Sequence, residues 1–195
     1  LFMRVNSTIR RLALSGVLAA LYLALCYLDI SFGRYKITLA ATVIYFVSFC
    51  FGPADCFFVC FVGVFLDQLL YGLTPTTLLW MLPPLLRPIL INPITYHYGK
   101  KGIHMEDKKI LSISLIIISS LLVSATNSLV FYLDSLIIGY PYKAVLLDNI
   151  LQAIITMGTG VLEAFLLFPL VKAIRKANLL PPLTWMNKKE RNDEK

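Results

Sequence analysis

The sequence predicts an all-α membrane protein of six transmembrane helices with both termini cytoplasmic, and three observations carry that prediction. Hydrophobic residues make up 58% of the 195-residue chain and charged ones 15%, and the mean hydropathy is +0.75, well outside the range of a soluble domain. The longest polar stretches, the loop at 99–109 and the tail after 180, are too short to bury cores of their own. Residues 1–178 therefore read as a single membrane domain and 179–195 as a basic, flexible cytoplasmic tail. Third, the N-terminus, the 99–109 loop and the C-terminal tail hold fourteen Lys and Arg, whereas the loops around 34, 73 and 143 hold three. That alternation is a topology signal rather than a nucleic-acid footprint, although the net charge is +7.

The first span runs from about Leu12 to Leu28. Basic residues precede it, but no small-residue cleavage site follows, so it reads as a membrane helix and not a removed signal. Gly16, Ala20 and Ala24 recur four residues apart on one of its faces, a spacing that lets another helix approach closely, inside the same bundle or from a partner. A short loop, Asp29 to Lys36, leads to a second span at about Ile37 to Phe51, closed by Gly52-Pro53-Ala54-Asp55. The third span, about Cys56 to Tyr71, follows at once and carries Asp67.

Span four, about Thr76 to Tyr98, contains Pro83, Pro84, Pro88 and Pro93. Each lacks a backbone donor, so a broken helix at membrane depth is expected, of the kind that lines many solute sites. Span five, about Ile110 to Leu133, carries Asn127. A polar segment from Asp134 to Asp148 precedes span six, about Asn149 to Val171, which holds Gln152 and Glu163. No convincing internal repeat is visible.

Chemistry concentrates on spans three and four. Asp67 and Arg87 each fall about eleven residues from the end of an apolar run, which places them near the bilayer midplane. Charge at that depth is costly and is turned inward, to pair or to hold a solute. Thr76, Trp80 and Arg87 share one helical face, with Tyr71 at the outer turn. Arg87 offers a planar fork for a carboxylate and Trp80 an apolar wall, while Asn127 can donate and accept. Two readings stay open: Asp67 and Arg87 lock the bundle as a pair, or they belong to a site for a small organic anion. Cys26, Cys50, Cys56 and Cys60 lack metal or disulfide spacing, and no metal site is expected. Nothing matches a hydrolase constellation or a phosphate-cradling loop, so the chain is not expected to be an enzyme or to carry a cofactor.

The six-span layout, Gly16/Ala20/Ala24, Phe51-Gly52-Pro53, Phe65-Leu66-Asp67-Gln68-Leu69-Leu70-Tyr71-Gly72, Leu85-Leu86-Arg87, Ala125-Thr126-Asn127-Ser128-Leu129 and Gly139-Tyr140-Pro141 resemble the S component of energy-coupling factor (ECF) vitamin transporters. The folate and pantothenate branch is the most similar. The resemblance covers about residues 10–176. It implies a multi-pass protein of a bacterial-type cell membrane that binds a water-soluble, carboxylate-bearing vitamin outside. Its partners would be a transmembrane coupling subunit and two ATPase subunits, with ATP used by those partners alone. It further implies docking through Gly16, Ala20 and Ala24, and a pocket including Trp80, Arg87 and Asn127, to which Asp67, Tyr71 and Thr76 are added as candidates. A self-sufficient proton-coupled carrier using Asp67 and Glu163, and a non-transport membrane scaffold, are the alternatives.

Overall fold

The computed structural model describes residues 7–32, 35–141 and 143–177; the predicted tail at 179–195 lies outside the described residues. Among these residues the chain forms α1 (Ser7–Tyr27), a β-hairpin of β1 (Ile30–Phe32) and β2 (Tyr35–Ile37), and then α2 (Ala40–Cys50), α3 (Pro53–Tyr71) and α4 (Thr77–Gly99). A 3-10 turn at Met105–Asp107, α5 (Lys109–Ile138) and α6 (Lys143–Lys176) complete it. Helices α3 to α6 each hold a stretch long and apolar enough to cross a membrane, and Arg11–Tyr27 and Ala40–Cys50 are shorter apolar helices. The bundle has two distinct ends. The basic end gathers the start of α1, the α2–α3 turn, the α4–α5 connection and the end of α6; the hairpin end gathers the strands and the α3–α4 and α5–α6 turns.

Helix α2 is the axis of the bundle. Every one of its residues except Thr42 is buried, and it packs among α1, α3, α4 and α6. A helix enclosed on all sides can be apolar all round, which explains the continuous run Val43-Ile44-Tyr45-Phe46-Val47. Pro53 then opens α3 at its first turn, where a missing N–H costs nothing, with Gly52 extended before it. Leu, Ile and Phe side chains such as Leu78, Phe165 and Ile110 stand exposed on the outside of the bundle. Lipid is as apolar as these side chains, so association of the helices depends on close packing and hydrogen bonds instead.

Two glycines show that packing. A Cβ on Gly63 of α3 would stand 2.5 Å from the Tyr22 ring of α1, and one on Gly160 of α6 would stand 2.8 Å from Ser120 Oγ of α5. Gly63→Val is therefore expected to wedge α1 from α3 and cost about 1–3 kcal/mol, read as a lower thermal unfolding midpoint of the purified protein. Tyr45, fully buried on α2, reaches Ser119 Oγ at 3.1 Å and Ser120 Oγ at 3.3 Å. At the basic end, Arg11 pairs with Asp55, and Arg175 Nε lies 2.5 Å from Oε1 of Glu106.

Three sequence expectations are corrected here. The loop from Asp29 to Lys36 contains an antiparallel hairpin in which Ile30 pairs with Ile37 and Phe32 with Tyr35. The stretch from Asp134 to Asp148 is not a polar connection: α5 continues to Ile138 and α6 begins at Lys143. The reason lies in Asp134, which is buried and accepts from Tyr140 Oη at 2.9 Å, so its charge does not end the helix. Burial, and then the bond to Asp134, push the Tyr140 phenol up to about 12. Gly139, at φ 89°, closes α5 with its N–H on the Ser135 carbonyl.

The third correction concerns α4, which is one continuous helix through all four prolines. Proline at 88 deprives the Pro84 carbonyl of its usual partner four residues on. Cys60 Sγ of α3 donates to that oxygen at 3.5 Å. Asn92 in turn donates to the Pro53 carbonyl at 3.1 Å and accepts from Ser48 Oγ at 2.8 Å, tying α4 to α2 and α3. Neighbouring helices thus satisfy or buttress the groups that the prolines disturb.

Candidate functional site

Near the hairpin end, α4, α5 and α6 enclose a cleft of about 90 Å³ lined by Trp80, Ser124, Asn127, Ser128, Phe131, Gln152 and Ala153. Trp80 comes from the first turn of α4, where the Thr76 carbonyl accepts both the Leu79 and Trp80 N–H groups. On α5, Ser124, Asn127, Ser128 and Phe131 follow helical spacing and so face one direction. Trp80 and Phe131 meet edge to face, with ring centroids 4.6 Å apart and planes at 87°.

The lining is largely apolar, and its polar groups are uncharged. Two amides and two hydroxyls converge beside the aromatic pair, and Ser124 Oγ is buried with no hydrogen-bond partner. An orphaned buried hydroxyl has a cost that a bound acceptor or donor removes. Such a wall offers aromatic faces beside amide and hydroxyl groups.

The sequence-derived candidates separate into groups. Trp80 and Asn127 come together in this cleft. Arg87, seven residues beyond Trp80, sits roughly 10 Å deeper along α4, within electrostatic reach of Tyr45, Glu163 and Tyr22. Its Nε is buried without a hydrogen-bond partner. Asp67 and Arg87 both lie around Tyr22 and Cys26, so α1, α3, α4 and α6 share one polar cluster at mid-depth. Thr76 is buried, with its Oγ1 3.2 Å from Thr74 Oγ1 in the turn. Tyr71 is exposed and stacks on Tyr27 at 6.0 Å. Neither Asp67, Arg87, Tyr71 nor Thr76 lines the cleft.

Ser124, Ser128, Phe131, Gln152 and Ala153 are the lining residues that sequence reasoning did not single out. The polar face around Asn127, with serines three residues before it and one after, was the available signal. On α1, Gly16, Ala20 and Ala24 are all exposed, while Ser15, Leu18, Ala19 and Tyr22 on the other side are buried. Among the described residues no part of the bundle lies within 4 Å of a Cβ placed on Gly16.

A multi-pass helical bundle with a small uncharged cleft between three of its helices defines a membrane-embedded solute-binding protein. A family model for the ECF-type riboflavin transporter S component matches residues 6–176. The chain belongs to that family: it is a vitamin-binding transporter subunit of the membrane, and not an enzyme. Among solved structures, ThiT from Listeria monocytogenes superposes with a TM-score of 0.66 at 16% identity, covering 88% of this chain and 98% of that one. The S component for biotin of an ECF-type ABC transporter gives 0.55 at 16% identity, covering 87% and 95%. These two likenesses bear on the fold. A comparison of the sequence with curated proteins gives no match.

Proposed function

We propose that the chain captures a water-soluble vitamin in the α4–α5–α6 cleft, with riboflavin the first ligand to test, and passes it to an ATP-driven partner assembly. The observation that carries this reading is the lining itself: an aromatic pair, two amides, an unpartnered serine hydroxyl and no charged group. Such a wall suits a neutral heteroaromatic ring. Membership of a family described by riboflavin supports the same choice. At about 90 Å³ the cleft holds only a few waters, so access requires α4, α5 and α6 to part at the hairpin end. The basic end faces the cytoplasm in this reading, which leaves the cleft on the outer side.

A second reading, a carboxylate-bearing vitamin of the folate or pantothenate class, rests on Arg87, whose buried Nε has a hydrogen bond to spare. Fluorescence titration of riboflavin into the purified chain, with folate and pantothenate as competitors, separates the two. Saturable quenching at one ligand per chain, unaffected by excess folate or pantothenate, supports the flavin. Displacement by either acid, together with at least ten-fold weaker acid binding in Arg87→Ala, about 1.4 kcal/mol, supports the carboxylate clamp. Absence of binding by all three removes both.

Partner docking is assigned to the exposed Gly16, Ala20 and Ala24 stripe of α1. A small-residue ridge allows close backbone approach of a second helix in lipid. A transmembrane coupling subunit carrying two ATPase subunits is the proposed partner.

A further inference from the structure

A second concavity lies far from the cleft, on the outside of the bundle between α3 and α4. Its volume is about 710 Å³, and its walls include Phe57, Phe58 and Phe61 of α3 and Pro88, Ile89 and Pro93 of α4. Phe57 stacks on Phe61 at 6.4 Å, giving the α3 wall an aromatic face that Phe65 continues beyond the groove, 6.3 Å from Phe61. Asn92 borders the groove, but its amide is engaged by Ser48 and the Pro53 carbonyl. The surface offered to an occupant is therefore almost wholly apolar.

The groove has a direction. It extends from Pro53 to Phe61 along α3, roughly 12 Å, which is most of one hydrocarbon leaflet of about 15 Å. It opens at the basic end beside Tyr96. There Lys100 places its ammonium over the Tyr96 ring, 4.3 Å from the centroid, and Lys101 follows, exposed. Of the carboxylates at this end, Asp55 is paired with Arg11 and Glu106 with Arg175, while Asp107 is exposed. An open apolar groove of leaflet length with cations at its mouth matches an amphiphile with a negative head. A partner helix is a poorer match, because close approach in lipid needs small residues where this wall has phenylalanines.

We propose that the α3–α4 groove binds an acyl chain of an anionic phospholipid whose headgroup rests on Lys100 and Lys101. The phenyl and prolyl faces hold the chain, and the two ammonium groups choose the head. Ala54, exposed at the mouth of the groove, supplies the space for the first methylenes.

The test is native mass spectrometry of the full chain released from detergent after incubation with equal amounts of phosphatidylglycerol and phosphatidylcholine of the same acyl length. One retained lipid per chain is expected, with phosphatidylglycerol favoured at least five-fold. Ala54→Trp, which obstructs the mouth of the groove, is expected to cut retention of both lipids at least ten-fold. Lys100→Gln combined with Lys101→Gln, a surface change that leaves the bundle intact, is expected to keep a lipid but lose the headgroup preference. The proposal is overturned if the native chain shows no preference, if Ala54→Trp retains as much lipid as the native chain, or if the lysine variant keeps the full preference. A dimer peak that disappears in Ala54→Trp would equally overturn it, by assigning the groove to a second copy.

Discussion

Replacing Ala20 with Trp is expected to abolish ATP-driven vitamin uptake in cells while leaving vitamin binding by the purified chain unchanged. Helix α1 divides cleanly into two faces. Ser15, Leu18, Ala19 and Tyr22 are buried in the bundle, whereas Gly16, Ala20 and Ala24 face outward. Small residues favour helix association in lipid because they let backbones approach and gain dispersion contacts along their length. An indole in the middle of the stripe holds two helices apart and forfeits those contacts together. The measurement is paired: uptake in cells that express the transport module, and ligand affinity in detergent. Loss of both would mean that the stripe serves the fold of the bundle. Retention of uptake would place the docking face elsewhere.

The second large effect is expected at Trp80. Stacking of a heteroaromatic ring on an aromatic side chain contributes about 1–3 kcal/mol, so Trp80→Ala should weaken ligand binding roughly ten- to hundred-fold. Trp80 also packs edge to face on Phe131, and truncation removes that contact as well. Trp80→Phe separates the two contributions, since it keeps a ring against Phe131 and part of the stacking face. Equilibrium titration should therefore rank the affinities native, then Phe, then Ala. Equal affinity across the series would take Trp80 out of the site.

Much of this architecture is legible in the sequence. Apolar runs bounded by Gly52-Pro53, Tyr71-Gly72 and the 99–109 loop locate α2, α3 and α4 to within a few residues, because lipid leaves a backbone few ways to satisfy itself. Helix α2 is shorter than predicted because Ile37 is taken by the hairpin; the alternation of Ile30-Ser31-Phe32 and Tyr35-Lys36-Ile37 was too brief to declare strands. The prolines of α4 misled for a different reason. Whether a proline breaks a helix depends on what else can reach the freed carbonyl, and Cys60 belongs to another helix.

The site was half legible. Trp80 and Asn127 stand out as polar or amphipathic groups in apolar runs, but Gln152 and Ser124 enter the cleft only through the packing of α5 on α6. Burying charge is costly, so the sequence points to Asp67 and Arg87 before any neutral polar group. In the folded chain Arg87 faces Tyr45, Glu163 and Tyr22 at mid-depth, below the cleft rather than in its lining.

Mass spectrometry of small molecules released by denaturing the detergent-purified chain tests vitamin capture most directly, with native protein and Trp80→Ala run side by side. The account predicts a vitamin, riboflavin first, released in near-equimolar amount from the native chain and in at least ten-fold smaller amount from the variant. Release of no vitamin from the native chain, or of the same amount from both, would contradict it.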